Sequence, residues 1–149
     1  MAFRHNIVAL DGYEDVEEGT LAAAMYPGVV VVPKQADGTL ALQSRAGLGG
    51  IVYVLLEDNM KGSDATVQIA SGERGRAAKM ESGQRSIARI KASVTTTVDA
   101  PLAFHSNGTL KLAADASGDT PADVQVAIAL EAVVSPGSGA PAQCAVRWL

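Results

Sequence analysis

Asp37-Gly38-Thr39-Leu40-Ala41-Leu42 and Asn107-Gly108-Thr109-Leu110-Lys111-Leu112 are two copies of one turn and strand, about 70 residues apart. Asp-Gly and Asn-Gly readily supply the positive φ that a tight hairpin turn needs, and the residues after them alternate like a strand with one covered face. A strand-like piece precedes each copy, at residues 27–32 and 101–104. A loop of glycine, alanine and small polar residues follows each copy. After the loop comes an apolar run ending in an acid, Val52-Tyr53-Val54-Leu55-Leu56-Glu57 and Val126-Ala127-Ile128-Ala129-Leu130-Glu131. This order of parts predicts one β domain over residues 19–149 with a quasi-repeat at about 27–58 and 100–134. The best-marked residues of such a chain are turn and core residues, so the repeat describes a scaffold.

Between the repeats the same signals recur. Pro27-Gly28, Ser71-Gly72-Glu73 and Glu81-Ser82-Gly83 are turns, and alternating runs at 66–70, 76–80, 86–94 and 142–148 read as strands. Residues 124–134 read as the longest strand. Its even positions carry large apolar groups and its odd positions mostly small ones, so both faces are expected to be covered, by the fold or by a neighbouring subunit. Ten or more short strands, with turn signals every 8–12 residues or so, predict an all-β fold. The expected form is a compact barrel or sandwich of short antiparallel strands with at most one short helix, for which a weak signal lies at 14–25. Residues 1–18 are expected to form an extended N-terminal arm or first strand carrying an acidic segment.

Composition narrows the function classes. The 149 residues suffice for a single core. Only Phe3, Tyr13, Tyr26, Tyr53, Phe104 and Trp148 are aromatic, which argues against a sugar groove or a base-stacking platform. The net charge of −4 disfavours polyanion binding. Cys144 is the one cysteine, so no internal disulfide forms, and in its alternating run it reads as a small buried residue. No signal region opens the sequence, and no apolar run approaches the ~20 residues of a membrane helix. Synthesis in a cytoplasm is expected, without membrane partners.

No catalytic constellation emerges. His5 and His105 each stand alone, without neighbours at ligand spacing, so no metal or other cofactor is expected. Gly72-Glu73-Arg74-Gly75 has the form of a nucleic-acid-binding KH loop but lacks its flanking helices. Glu57 and Glu131 end equivalent strands and read as solvated or capping acids. The distinctive polar feature is charge placement. Asp11, Glu14, Asp15, Glu17 and Glu18 form an acidic cluster, while Arg74, Arg76, Lys79, Arg85, Arg89 and Lys91 supply half of the 12 Lys and Arg. The basic stretch reads as solvated hairpin faces, as a surface docking onto acidic protein, including the acidic segment of a neighbouring copy, or as a phosphate site. Docking onto protein fits an acidic, aromatic-poor chain better than phosphate binding.

Several stretches, in order along the chain, resemble tailed-bacteriophage head decoration (capsid cement) proteins. They are Gly19-Thr20-Leu21 with Pro27-Gly28-Val29-Val30, the Asp-Gly-Thr-Leu turn, Tyr53-Val54-Leu55-Leu56-Glu57-Asp58 and Ser71-Gly72-Glu73. Ala100-Pro101-Leu102, Asn107-Gly108-Thr109-Leu110 and Ala127-Ile128-Ala129-Leu130-Glu131-Ala132 complete the set. The resemblance implies a small β-rich, non-enzymatic protein on the outer surface of a virion, clamping neighbouring major capsid subunits. It also implies a homo-oligomer, with a trimer favoured and a dimer possible, and no nucleic-acid partner. The expected capsid or inter-subunit contacts are Phe3, Asp11, Glu14, Asp15, Glu17, Glu18, Arg74, Arg76 and Arg85. The alternatives are a self-assembling tail or tube subunit and a nucleic-acid-binding barrel.

Overall fold

A computed structural model describes residues 5–13 and 15–149. It is almost entirely β. Ten strands are β1 (Val16–Leu21), β2 (Val30–Lys34), β3 (Thr39–Leu42), β4 (Val52–Leu55), β5 (Arg74–Met80), β6 (Arg85–Arg89), β7 (Pro101–Phe104), β8 (Leu110–Leu112), β9 (Ala127–Ala129) and β10 (Gln143–Trp148). Among the described residues the helical content is two single 3₁₀ turns, Asn59–Lys61 and Ser106–Gly108. Residues 16–21, inside the weak helical signal, form a strand instead. Val16, Thr20 and the conformationally costly Gly19 suit an extended chain better than a helix.

The first five strands close into a barrel in the order β1-β3-β2-β4-β5, and the last five form a sheet in the order β6-β10-β9-β7-β8. Not every pair is antiparallel: β1 and β3 run parallel, meeting at Thr20–Thr39 and Leu21–Leu40. In the second sheet the parallel bridge Ile90–Leu110 and the bond from Lys91 N to Leu110 O (2.8 Å) bring the two edges together in the same manner.

The two sets of strands share their register. Five pairs from Val16–Ala78 to Thr20–Arg74 join β1 to β5, and five from Arg85–Arg147 to Arg89–Gln143 join β6 to β10. Leu56 N donates to Arg76 O as Leu130 N donates to Ala145 O. Gly28 N donates to Leu55 O as Asp99 N donates to Ala129 O, and both Gly28 (φ 96°) and Asp99 (φ 67°) are left-handed there. The two Gly-Thr-Leu turns thus lie at the same point of two equally wired halves.

One core cluster, with Leu21, Met25, Val31, Leu40, Leu55 and Ile69, fills the barrel. A larger one joins the outward faces of β2, β4 and β5 to the inward face of the second sheet, around Phe104, Leu110 and Trp148. Residues 124–134 are not one long strand: only Ala127–Ala129 form a continuous strand, and Val134 makes an isolated antiparallel bridge to Thr95. The buried side is the small one: Ala127 and Ala129 are fully buried, whereas Val124 and Val134 are exposed. The cause is the register. Ala127 lies opposite Trp148 and Ala129 opposite Val146, so large partners fill the space that a large residue on β9 would need.

Candidate functional site

Strand pairing brings the acidic cluster and the basic stretch together within one chain. Because β1 runs antiparallel to β5, Glu18 lies diagonal to Arg74, whose Nε and Nη2 reach Glu18 Oε2 at 3.1 and 2.7 Å. Asp11 takes Arg85 in a fork, with Nη2 to Oδ1 at 2.9 Å and Nε to Oδ2 at 3.2 Å, and its Oδ2 also accepts Arg85 N at 2.7 Å. These bonds, the Arg85 side chain first, hold the Asp11 carboxyl below its ordinary value and raise the guanidinium. Lys79 pairs with Glu81. Glu17 sits on β1 opposite Ala77, Arg76 on β5 opposite Glu18, and exposed Asp15 offers its carbonyl to Lys79 N. Phe3 and Glu14 lie outside the described residues. Of the expected contact residues, Asp11, Glu18, Arg74 and Arg85 are therefore engaged within the chain.

Arg89 is not a surface cation at all. It is 4% exposed, and its Nε, Nη1 and Nη2 donate to the carbonyls of Pro27 (2.8 Å), Pro141 (2.8 Å) and Ala65 (2.6 Å). Its guanidinium lies 5.0 Å from the centre of the Tyr26 ring. Burial pushes its pKa down to about 10, opposed by Tyr26. Placed centrally, it ties together three segments that the strand pairs do not join.

Residues 5–11 act as a strap across both halves. Ala9 bridges Ser86, Ile87 N donates to Val8 O at 2.7 Å, and Leu10 N and Asp11 N both donate to Arg85 O. Val8 is fully buried. Glu57 Oε2 accepts Val8 N at 3.0 Å. Glu131 Oε1 meets His5 Nε2 at 2.9 Å and accepts Ala145 N at 2.7 Å. Gln143 accepts His5 N and donates to His5 O. Sequence reasoning treated Glu57 and Glu131 as ordinary strand-end acids. The available signal was their equal place in the repeat, which becomes informative only once the strap lies between them.

Two surface features remain. An open groove of about 780 Å³ is lined by Glu18, Leu56, Glu57, Arg74, Gly75 and Arg76, with Ile69 and the protruding Met60 beside them. Separately, the loop after β3 and the equivalent loop after β8 touch: Val124 N donates to Gly47 O at 2.9 Å. A Cβ on Gly49 would sit 3.1 Å from Val124 Cγ1. These loops expose Leu48 (50%), Ile51 (65%) and Val124 (47%).

Among the described residues, no group of three His, Cys, Asp or Glu is placed to hold a metal ion. Cys144 is buried, and burial raises its thiol to about 11. No family model matches the chain, and no curated protein matches it significantly.

Proposed function

We propose that this chain is a capsid decoration protein, which binds the outer surface of an assembled phage head and stabilises it by clamping neighbouring major capsid subunits. The sequence resemblance motivates the reading. The structural observation that supports it best is the apolar platform of Leu48, Ile51 and Val124, built from equivalent loops of two equally wired halves. Exposed aliphatic side chains grouped on a β body suit docking onto protein. Four of the charged residues expected to make that contact, Asp11, Glu18, Arg74 and Arg85, pair with one another, so the platform takes their place as the leading contact surface.

The mechanism is mechanical. Each copy needs only a weak contact, because many copies, each spanning a joint between subunits, resist rupture together. The strap and Arg89 bind the two halves into one body, so load on one half passes to the other. A homo-oligomer, a trimer by preference, would seat such a body at a local symmetry axis.

Co-sedimentation with expanded and unexpanded heads tests the reading. The chain is expected to pellet with expanded heads and to raise their rupture temperature. Leu48→Asp with Ile51→Asp is expected to lower occupancy at least tenfold while leaving the melting temperature of the chain unchanged. Failure to pellet with any head, or assembly of the chain alone into tubes, would reject it.

A further inference from the structure

The second Gly-Thr-Leu turn is docked across the seam between the halves, and its first two residues are a reactive pair. Asn107 and Gly108 lie in the 3₁₀ turn between β7 and β8. Gly108 N donates to Gln43 O of the first half at 2.9 Å, and Gln43 is buried. Gly108 is buried too: a Cβ there would stand 2.5 Å from Val30 O and 3.1 Å from Leu42 Cδ2. The Asn107 side chain, by contrast, is on the exposed side of the turn.

In an Asn-Gly pair the glycine nitrogen attacks the asparagine Cγ, because no glycine Cβ obstructs the approach. The N–Cγ bond forms as the glycine N–H proton passes to solvent base. The bond from Cγ to the side-chain nitrogen breaks, ammonia departs, and a five-membered succinimide remains. Water then opens the ring, at Cγ to give aspartate or at the main-chain carbonyl to give isoaspartate, whose main chain is one methylene longer. Water is the only co-reactant.

Two features of the docked turn oppose the first step. The attacking nitrogen is tied to Gln43 O. The Asn107 ψ of 26° also turns that nitrogen to the side of the Cα–C bond opposite Cβ, so the ring closes only after rotation about ψ. That rotation carries Gly108 out of its place against Val30 O. We propose that Asn107 is a modification site gated by the seam: it is protected while the turn is docked and loses its side-chain amide when the turn leaves the first half. The isoaspartate product has no room to return, because Gly108 is already at the limit of close approach to β2. Each opening that ends in ring closure therefore leaves a covalent record.

The sister turn supplies an internal control. Asp37 already carries the acid, and its carboxylate accepts Thr39 N at 3.1 Å and Thr39 Oγ1 at 2.7 Å. An ionised carboxylate is a poor electrophile, so Asp37-Gly38 stays intact although nothing lies within 4 Å of a Cβ on Gly38. This inference does not depend on the capsid reading.

The test incubates the full chain at mildly alkaline pH and follows aspartate and isoaspartate at position 107 by peptide mapping and mass spectrometry. The folded chain should deamidate at least tenfold more slowly than the urea-unfolded chain or a peptide of residues 104–111. Leu42→Ala, which loosens the packing over Gly108, should speed the reaction several-fold. In the parent chain, urea below the unfolding midpoint should raise the rate in step with hydrogen exchange at Gly108 N, whether or not the variant folds. Isolated isoaspartate chain should have lost the exchange protection of that amide. Deamidation of the folded chain as fast as the peptide overturns the proposal. So does a folded-state rate that sub-midpoint urea leaves unchanged while Gly108 exchange accelerates.

Discussion

Glu57 and Glu131 occupy the same place in the two halves, and both hold the N-terminal strap: Glu57 accepts Val8 N, and Glu131 meets the His5 ring. Each carboxylate follows the last residue of its strand by two positions, after β4 and after β9. The repeat thus carries a matched pair of acceptors, and the chain uses both to lay one segment over the seam between its halves.

Losing either acceptor leaves a partly buried N–H without a partner. Glu57→Ala and Glu131→Ala are each expected to cost about 1–3 kcal/mol in urea denaturation. The double variant should cost less than the sum, because the first loss already loosens the strap that the second acceptor holds.

The equivalent turn glycines should respond differently to the same substitution. Gly38 and Gly108 both have positive φ, 68° and 71°. Nothing lies within 4 Å of a Cβ on Gly38, but a Cβ on Gly108 would stand 2.5 Å from Val30 O, because this turn is driven into the first half. Gly38→Ala should cost about 1 kcal/mol through strain alone. Gly108→Ala should cost at least twice that, as measured by denaturation midpoints at constant m-value.

Arg89 is a buried cation bonded only to backbone oxygens. Arg89→Met strands three carbonyls and should destabilise by about 3 kcal/mol or more. Arg89→Lys should recover only part of this, since an ammonium cannot reproduce a planar fork aimed at three carbonyls. The folded-state pKa is depressed to about 10 by burial, below the ordinary arginine value. The unfolded chain therefore binds more protons between these values, and this group alone favours folding more as pH rises through that window. The difference in denaturation free energy between the parent and Arg89→Met, followed from pH 9 to 11, checks the sign.

At the acid end, Asp11, Asp37, Asp64 and Asp123 are all held below 3.8 by hydrogen bonds to their charged forms, Asp11 by Arg85 first and Asp123 by Lys111 first. Their contribution is complete above 3.8 and is lost as pH falls through the lower folded values. Acid unfolding should begin below about pH 4, and Asp11→Asn should flatten its pH dependence while loosening the strap.

The all-β class was legible because turn chemistry and strand alternation are local. The Gly-Thr-Leu copies, residues 101–104 and the closing strand lie where alternation places them. β1 was not legible as a unit. Its residues fell between an acidic arm or first strand expected to end at 18 and a weak helical signal at 14–25, and only pairing with β5 gives Glu18 a neighbouring arginine. The buried side of β9 was not legible either. Which side of an Ala/Ile alternation turns inward depends on Trp148, which lies close by in space but far away in sequence. The same non-locality hid the site features. The strap and its two glutamates are relations between halves, and a sequence shows each half separately.

The measurement that bears most directly on the central claim is a cryo-EM reconstruction of expanded heads incubated with saturating chain. Density on the outer surface, spanning subunit joints and seated through the loops that carry Leu48, Ile51 and Val124, is the predicted result. Bare heads at saturation, under conditions where the chain remains folded, would contradict it.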